Sequence, residues 1–275
     1  MTEPIVSVAW LQANLKDPSL IILDASLKEN QSNLKTDLEN IQIKGARYFD
    51  IKHTFSDTTN SSLPNTLPSS NQFEIEAKKL GINKDSTIVV YDNLGIYSSP
   101  RAWWLFKIMG HQNVAVLDGG LPEWIKEGYA IEEIPENPIY TVGNFKAKFN
   151  PELVKSKELI LENIQTKDAI LIDARAENRF KGIGDEPRPG LRSGHIPGSI
   201  NMPYTQLLQN GKFLPKEELA TILKITDKPL IFTCGSGVTA CIDLIAYELI
   251  GQNPKSVYDG SWTEWGQLEN LPIEK

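Results

Sequence analysis

Short runs of consecutive apolar residues, each closed by a polar residue or a glycine, occur along this chain twice in the same order. Leu20-Ile21-Ile22-Leu23 runs into Asp24-Ala25, and Ala169-Ile170-Leu171-Ile172 runs into Asp173-Ala174-Arg175. Ile43-Lys44-Gly45-Ala46 follows the first run and Ile196-Pro197-Gly198-Ser199 the second. A further apolar run comes next in each half, Ile88-Val89-Val90-Tyr91-Asp92 and Leu230-Ile231-Phe232-Thr233-Cys234. Helical patterns then start near Pro100 and Val238 and end at Gly110 and Gly251, where a left-handed glycine is expected. Asp118-Gly119-Gly120-Leu121-Pro122-Glu123-Trp124 mirrors Asp259-Gly260-Ser261-Trp262-Thr263-Glu264-Trp265. Gly110 and Gly251 stand 141 positions apart, as do Trp124 and Trp265. That common offset argues for duplication.

Short apolar strands alternating with helices predict an α/β fold, each repeat a central parallel sheet flanked by helices. The Pro-punctuated stretch Ile134 to Pro138 marks the boundary, giving repeats over 1–136 and 137–275. The alternation in Phe145-Lys146-Ala147-Lys148-Phe149 predicts the first strand of the second repeat. The polar segment Thr54 to Gln72 predicts a long surface loop, in which Asn60-Ser61-Ser62 matches a glycosylation sequon of no significance without a secretory signal.

Composition narrows the function. With 275 residues, 40% hydrophobic and 23% charged, the chain has the make-up of a globular protein rather than a disordered one. Its formal net charge of -7, with no basic run, argues against a nucleic-acid or anionic-membrane partner. No apolar stretch is long enough for a membrane helix, and the start lacks the pattern of a signal peptide. Cys234 and Cys241 make no disulfide framework, and His53, His111 and His195 have no metal-ligand spacing. The expectation is a cytoplasmic protein with reduced thiols, no metal and no organic cofactor.

The most informative segment is Cys234-Gly235-Ser236-Gly237-Val238-Thr239-Ala240. An apolar strand ends at a cysteine, a glycine-rich turn follows, and a helix begins. Glycines let successive N–H groups turn toward one point, and the helix start adds unsatisfied N–H groups of its own. A thiol at the mouth of such a nest is stabilised as the thiolate, the nucleophilic form. The plain alternative is a buried structural cysteine before a tight turn; two glycines and a helix start weigh against it.

That loop resembles the active-site loop of the 3-mercaptopyruvate sulfurtransferases, which are two-domain rhodanese-like proteins. The resemblance extends through Tyr97-Ser98-Ser99-Pro100-Arg101-Ala102-Trp103-Trp104, Asp185-Glu186-Pro187-Arg188, Gly194-His195-Ile196-Pro197-Gly198 and Asp259-Gly260-Ser261-Trp262. It implies that Cys234 carries sulfur as a persulfide, that Gly235, Ser236, Gly237, Val238 and Thr239 form an anion-binding loop, and that Ser236 helps protonate or orient the substrate. It implies further that Arg179 and Arg188 hold the carboxylate and carbonyl of a small-molecule donor, for which planar guanidinium groups are suited. Either arginine could instead be a solvated surface residue paired with Glu177 or Glu186. The N-terminal repeat is expected to be inert, since Asp92 matches Cys234. The implied acceptor is a thiol, a thioredoxin-like protein or cyanide, and a monomer is expected.

One departure stands out. Relatives are proposed to link the loop serine to a histidine and an acid, and here those positions hold Asn65 and Lys52. A Ser–His–acid relay is therefore not expected, and His53 is the nearest substitute in sequence. A thiosulfate sulfurtransferase is the main alternative, although Gly235 and Ser236 stand where such enzymes carry basic residues. A non-catalytic binding or sensing module is the alternative from another class. A cysteine phosphatase is excluded by Ala240, which stands where phosphate would need an arginine. His195 and the acids Asp118 and Asp259 read as turn-shaping residues, Cys241 as core, and Trp103 and Trp104 as packing between layers.

Overall fold

The computed structural model describes residues 3–29, 34–59, 63–184, 186–223 and 227–275. The sequon Asn60-Ser61-Ser62 and Asp185 lie outside them. Two compact units are present. The first comprises Met1–Asp57, Leu67–Asn150 and Asn210–Phe213; the second comprises Thr58–Thr66, Pro151–Gln209 and Leu214–Lys275.

Each unit is built on a five-stranded parallel sheet. In the first, the order is Ile5–Val6, Val114–Leu117, Thr87–Tyr91, Leu20–Asp24, Arg47–Tyr48. In the second, it is Val154–Lys155, Lys255–Tyr258, Leu230–Thr233, Ile170–Asp173, Ile200–Asn201. The two sheets have one topology, as the repeated sequence predicts. Central strands are buried along almost their whole length, which is why they read as unbroken apolar runs rather than alternating ones. Helices Val8–Asn14 and Gly120–Lys126 pack around Trp124 in the first unit. Lys157–Thr166 and Ser261–Gln267 do the same around Trp262 and Trp265 in the second. The matched turns also agree: Gly45 and Gly198 are left-handed, with φ of +81° and +74°, and each turn closes through a backbone bond to the isoleucine two residues earlier.

Three local expectations change. Residues 137–150 pack with the first unit, and Phe145–Phe149 forms no strand. No sheet edge receives this segment. Its N–H groups go instead to carbonyls at the ends of first-unit helices: Gly143 to Lys78, Phe145 to Ile82, Lys148 to Met109 and Asn150 to Ile108. Phe145 is buried among Phe73, Phe106 and His111. The polar loop after Thr54 ends sooner than its composition suggests, because Ser69 caps helix Ser70–Lys79 by accepting from the Gln72 N–H. Gly110 is left-handed at φ +86°, but Gly251 is extended at φ -152°. There the Lys255 ammonium takes over, donating to the carbonyls of Gly251 and Asn253.

If residues 137–150 belong to the core of the first unit, Phe145→Ala should destabilise it by about 3 kcal/mol. Urea unfolding measures this, and a loss below about 1 kcal/mol would show the tail to be peripheral.

Candidate active site

Cys234 stands at the end of the central strand Leu230–Thr233 and is 2% exposed. Its position is held from the backbone. Its N–H donates to Ser261 Oγ at 3.4 Å, and its carbonyl accepts from the Trp262 N–H at 3.0 Å. The next carbonyl, Gly235, accepts from both the N–H and the hydroxyl of Thr263. The expected turn shape for Asp259-Gly260-Ser261 thus serves the cysteine loop directly. Gly237 is left-handed at φ +77°, and helix Ala240–Ile250 starts immediately after Thr239.

The first unit shows the equivalent turn with an acceptor in place. There Leu121 N–H donates to the Asp92 carbonyl as Trp262 N–H does to Cys234, so Asp92 occupies the cysteine's place. The Asp92 carboxylate accepts from the N–H groups of Tyr97, Ser98 and Ser99 at 2.9–3.0 Å and from the Ser99 hydroxyl at 2.7 Å. Ser98 and Thr239 are equivalent helix-cap residues, so the matching donors are Val238, Thr239 and Ala240. In the second unit, the N–H groups of Gly235, Ser236, Val238 and Thr239 donate to no protein acceptor among the described residues. These four loop N–H groups remain open to an acceptor.

Two arginines converge on this loop. A β-carbon placed on Gly235 would lie 3.4 Å from Arg179 Nη2 and 3.7 Å from Arg188 Nη1. Arg188 Nη2 also donates to Ser236 Oγ at 3.3 Å. Arg179 is anchored through a buried chain of ion pairs. Asp173 accepts from Arg175 Nε and Nη2, one edge of the guanidinium, at 2.7–3.1 Å, and Arg175 Nη1 donates to Glu186 Oε1 at 3.0 Å. Glu186 Oε2 then accepts from Arg179 Nε at 3.2 Å. Arg175 lies 4.3 Å over the Trp262 ring, which closes the chain from the far side. Arg179 is therefore both paired with Glu186 and aimed at the cysteine loop, while Glu177 pairs with Lys181.

Asn65 Nδ2 donates to Ser236 Oγ at 3.1 Å. Lys52 and His53 belong to the first unit, where Lys52 pairs with Glu29 at 2.8 Å and His53 is exposed. Tyr97 is also a first-unit residue, with its N–H on Asp92. His195 stacks on Phe180 and bonds the Phe180 carbonyl through Nδ1, a structural arrangement. Cys241 is buried and donates to the Gly237 carbonyl, as core packing requires. Asp118 holds the Phe213 N–H rather than shaping its own turn.

The sequence reading missed Arg175 as an anchor and Asp243 altogether. Asp243 is fully buried in helix Ala240–Ile250, and neither carboxylate oxygen has a hydrogen-bond partner among the described residues. Burial pushes its carboxyl well above the usual range, with Cys234 and Asp173 adding to the effect. Burial also raises the Tyr204 phenol, and Cys234 contributes again. An acid set inside Ile242-Asp243-Leu244 was the visible signal.

The family model for the rhodanese-like domain matches residues 7–127 and 156–268. The chain belongs to the rhodanese-like sulfurtransferases. Among its rhodanese-like relatives, the 3-mercaptopyruvate sulfurtransferase of Escherichia coli K12 is 39% identical over 98% of this chain and 97% of its own length. The thiosulfate sulfurtransferase of Mus musculus is 41% identical over 95% of this chain and 91% of its own. The crystal structure of SseA from Escherichia coli superposes with a TM-score of 0.83 at 36% identity, covering 94% of this chain and 99% of that one. No helix among the described residues is long and apolar enough to cross a membrane.

Replacing Asp243 gives a pH test with a definite sign. Its carboxyl titrates higher in the folded chain than the ordinary 3.8, so the stability from holding that proton is complete below about pH 4 and is lost as pH rises through the folded value. Asp243→Val removes both this loss and an unpaired buried polar group, worth on the order of 1 kcal/mol or more. The melting temperature of the variant should exceed that of wild type by a margin that widens from pH 4 upward. A margin that stays constant or shrinks would contradict the assignment.

Proposed function

We propose that this protein moves the sulfur of 3-mercaptopyruvate through a persulfide on Cys234 to a thiol, a thioredoxin-like protein or cyanide, releasing pyruvate. The observation that carries this reading is the convergence of Arg179, Arg188 and Ser236 on the loop that holds Cys234. The Cys234 thiolate attacks the substrate's sulfur. An S–S bond forms, the C–S bond breaks, and its electron pair passes to carbon as the enolate of pyruvate. Water supplies the proton that completes pyruvate. A thiolate acceptor then attacks the outer sulfur and leaves Cys234 as the thiolate again.

The loop donors favour negative charge on sulfur at both stages, as they do on the Asp92 carboxylate in the sister unit. Arg188 and the outward edge of Arg179 are placed for a carboxylate and its neighbouring carbonyl. Planar guanidinium forks suit the planar carboxylate of a 2-oxo acid. The first unit is read as catalytically inert, because a carboxylate bound to its own loop carries no sulfur. Buried free thiols and thiolate chemistry suit a reducing compartment such as the cytoplasm, with the chain acting as a monomer.

Thiosulfate is the second reading, favoured by relatives of that name at 41% identity. A paired steady-state assay separates the two. Mercaptopyruvate should be preferred by at least about tenfold in kcat/KM, roughly 1.4 kcal/mol of transition-state discrimination. Cys234→Ser should be inactive with both donors. Arg188→Lys should lose tenfold or more with mercaptopyruvate, because a point charge replaces a planar fork. A thiosulfate preference in wild type would reverse the order of the readings, and pyruvate release by Cys234→Ser would reject both.

A further inference from the structure

Ser236 is held from two sides. Its Oγ accepts from Asn65 Nδ2 at 3.1 Å and from Arg188 Nη2 at 3.3 Å. A hydroxyl oxygen has two acceptor sites and a single hydrogen to give. With both sites occupied, the hydroxyl can take part in a further bond only by donating, and a charged donor on its oxygen polarises that hydrogen. Asn65 is built for this contact. It is 9% exposed, sits at φ +64°, and comes from Thr58–Thr66, a segment that packs with the second unit. Asparagine tolerates this left-handed conformation better than most side chains do. A side chain 171 positions away in sequence thus fixes a hydroxyl two residues from Cys234.

We propose that Asn65 is a positioning residue that makes Ser236 a fixed hydrogen-bond donor to the carbonyl oxygen of a 2-oxo acid donor, and so favours such donors over thiosulfate. The inference rests on the sulfur-transfer reading above. As the C–S bond breaks, its electron pair passes to carbon and the negative charge settles largely on the former carbonyl oxygen. Ser236 donates to that oxygen and stays a neutral hydroxyl, while the proton on carbon comes from water. A bond that strengthens as the enolate forms acts on kcat more than on KM. In thiosulfate the charge is already spread over several oxygens before reaction, so one donor fixed at one place matters less.

The test is a double-mutant cycle. Asn65→Gly removes the amide without straining the backbone, since glycine adopts positive φ freely. With mercaptopyruvate, kcat should fall roughly tenfold while KM stays within about threefold and thiosulfate turnover within about twofold. The Asn65→Gly, Ser236→Ala double variant should be no slower than Ser236→Ala alone, because one residue acts through the other. Equal losses with both donors, or losses that multiply in the double variant, would overturn the proposal. Should Asn65→Gly not fold, Asn65→Asp keeps the size and the backbone preference but accepts the Ser236 hydrogen instead of donating to its oxygen. It should show the same fall in kcat with mercaptopyruvate, and wild-type turnover in it would sink the idea. Pyruvate release by Cys234→Ser would refute the sulfur-transfer reading itself, whereas full activity in Asn65→Gly would refute only the role of Asn65.

Discussion

Everything around Cys234 depends on how a parallel strand is joined to the helix that follows it. The chain must turn sharply, and the turn brings the last loop N–H groups and the first helical ones to bear on one point. Those donors demand an acceptor. In the first unit the demand is met within the chain, because Asp92 folds back onto the N–H groups of Tyr97, Ser98 and Ser99. In the second unit the same strand ends in a thiol, and Gly235, Ser236, Val238 and Thr239 spend no N–H on a protein acceptor among the described residues. An acid after one strand and a thiol after the other accompany a self-satisfied turn and a turn with N–H groups to spare.

The second constraint is the positioning of charge. An arginine at a surface loop has many rotamers and would lose most of their entropy on binding a substrate. Here that entropy is surrendered on folding. Asp173 fixes Arg175, Arg175 fixes Glu186, and Glu186 fixes Arg179, all but the last almost wholly buried. Buried ion pairs of this kind add little to stability on balance, and their persistence is better explained by what they orient. Ser261 and Thr263 do for the Cys234 backbone what this chain does for Arg179.

Much of this was legible in the sequence because it was written twice. Unbroken apolar runs located the central strands, and the repeated order of elements matched Asp92 to Cys234, each just past its strand, a pairing the backbone bonds to Leu121 and Trp262 reproduce. Arg179 and Arg188 were found through resemblance rather than pattern, since nothing in their spacing brings them to Gly235. Residues 145–149 misled because alternation reports a half-buried segment and not a partner strand; Phe145 is buried, but against aromatic rings. Gly251 misled because a lysine four residues on can satisfy a helix end as well as a left-handed glycine can. The contact of Asn65 with Ser236 was illegible as geometry, because it joins a polar loop to a site far along the chain.

Asp243 brings these constraints together. Its counterpart in the first unit, by the offset of 141 positions, is Ala102, and Cys234 adds to the upward push on its carboxyl. Two negative charges cannot be placed cheaply in one dry space. The Asp92 carboxylate accepts five hydrogen bonds, whereas Asp243 accepts none among the described residues. The proposed chemistry needs the negative charge on Cys234, where the loop donors are. An acid denied every donor favours its protonated form, and so adds no second charge to that space.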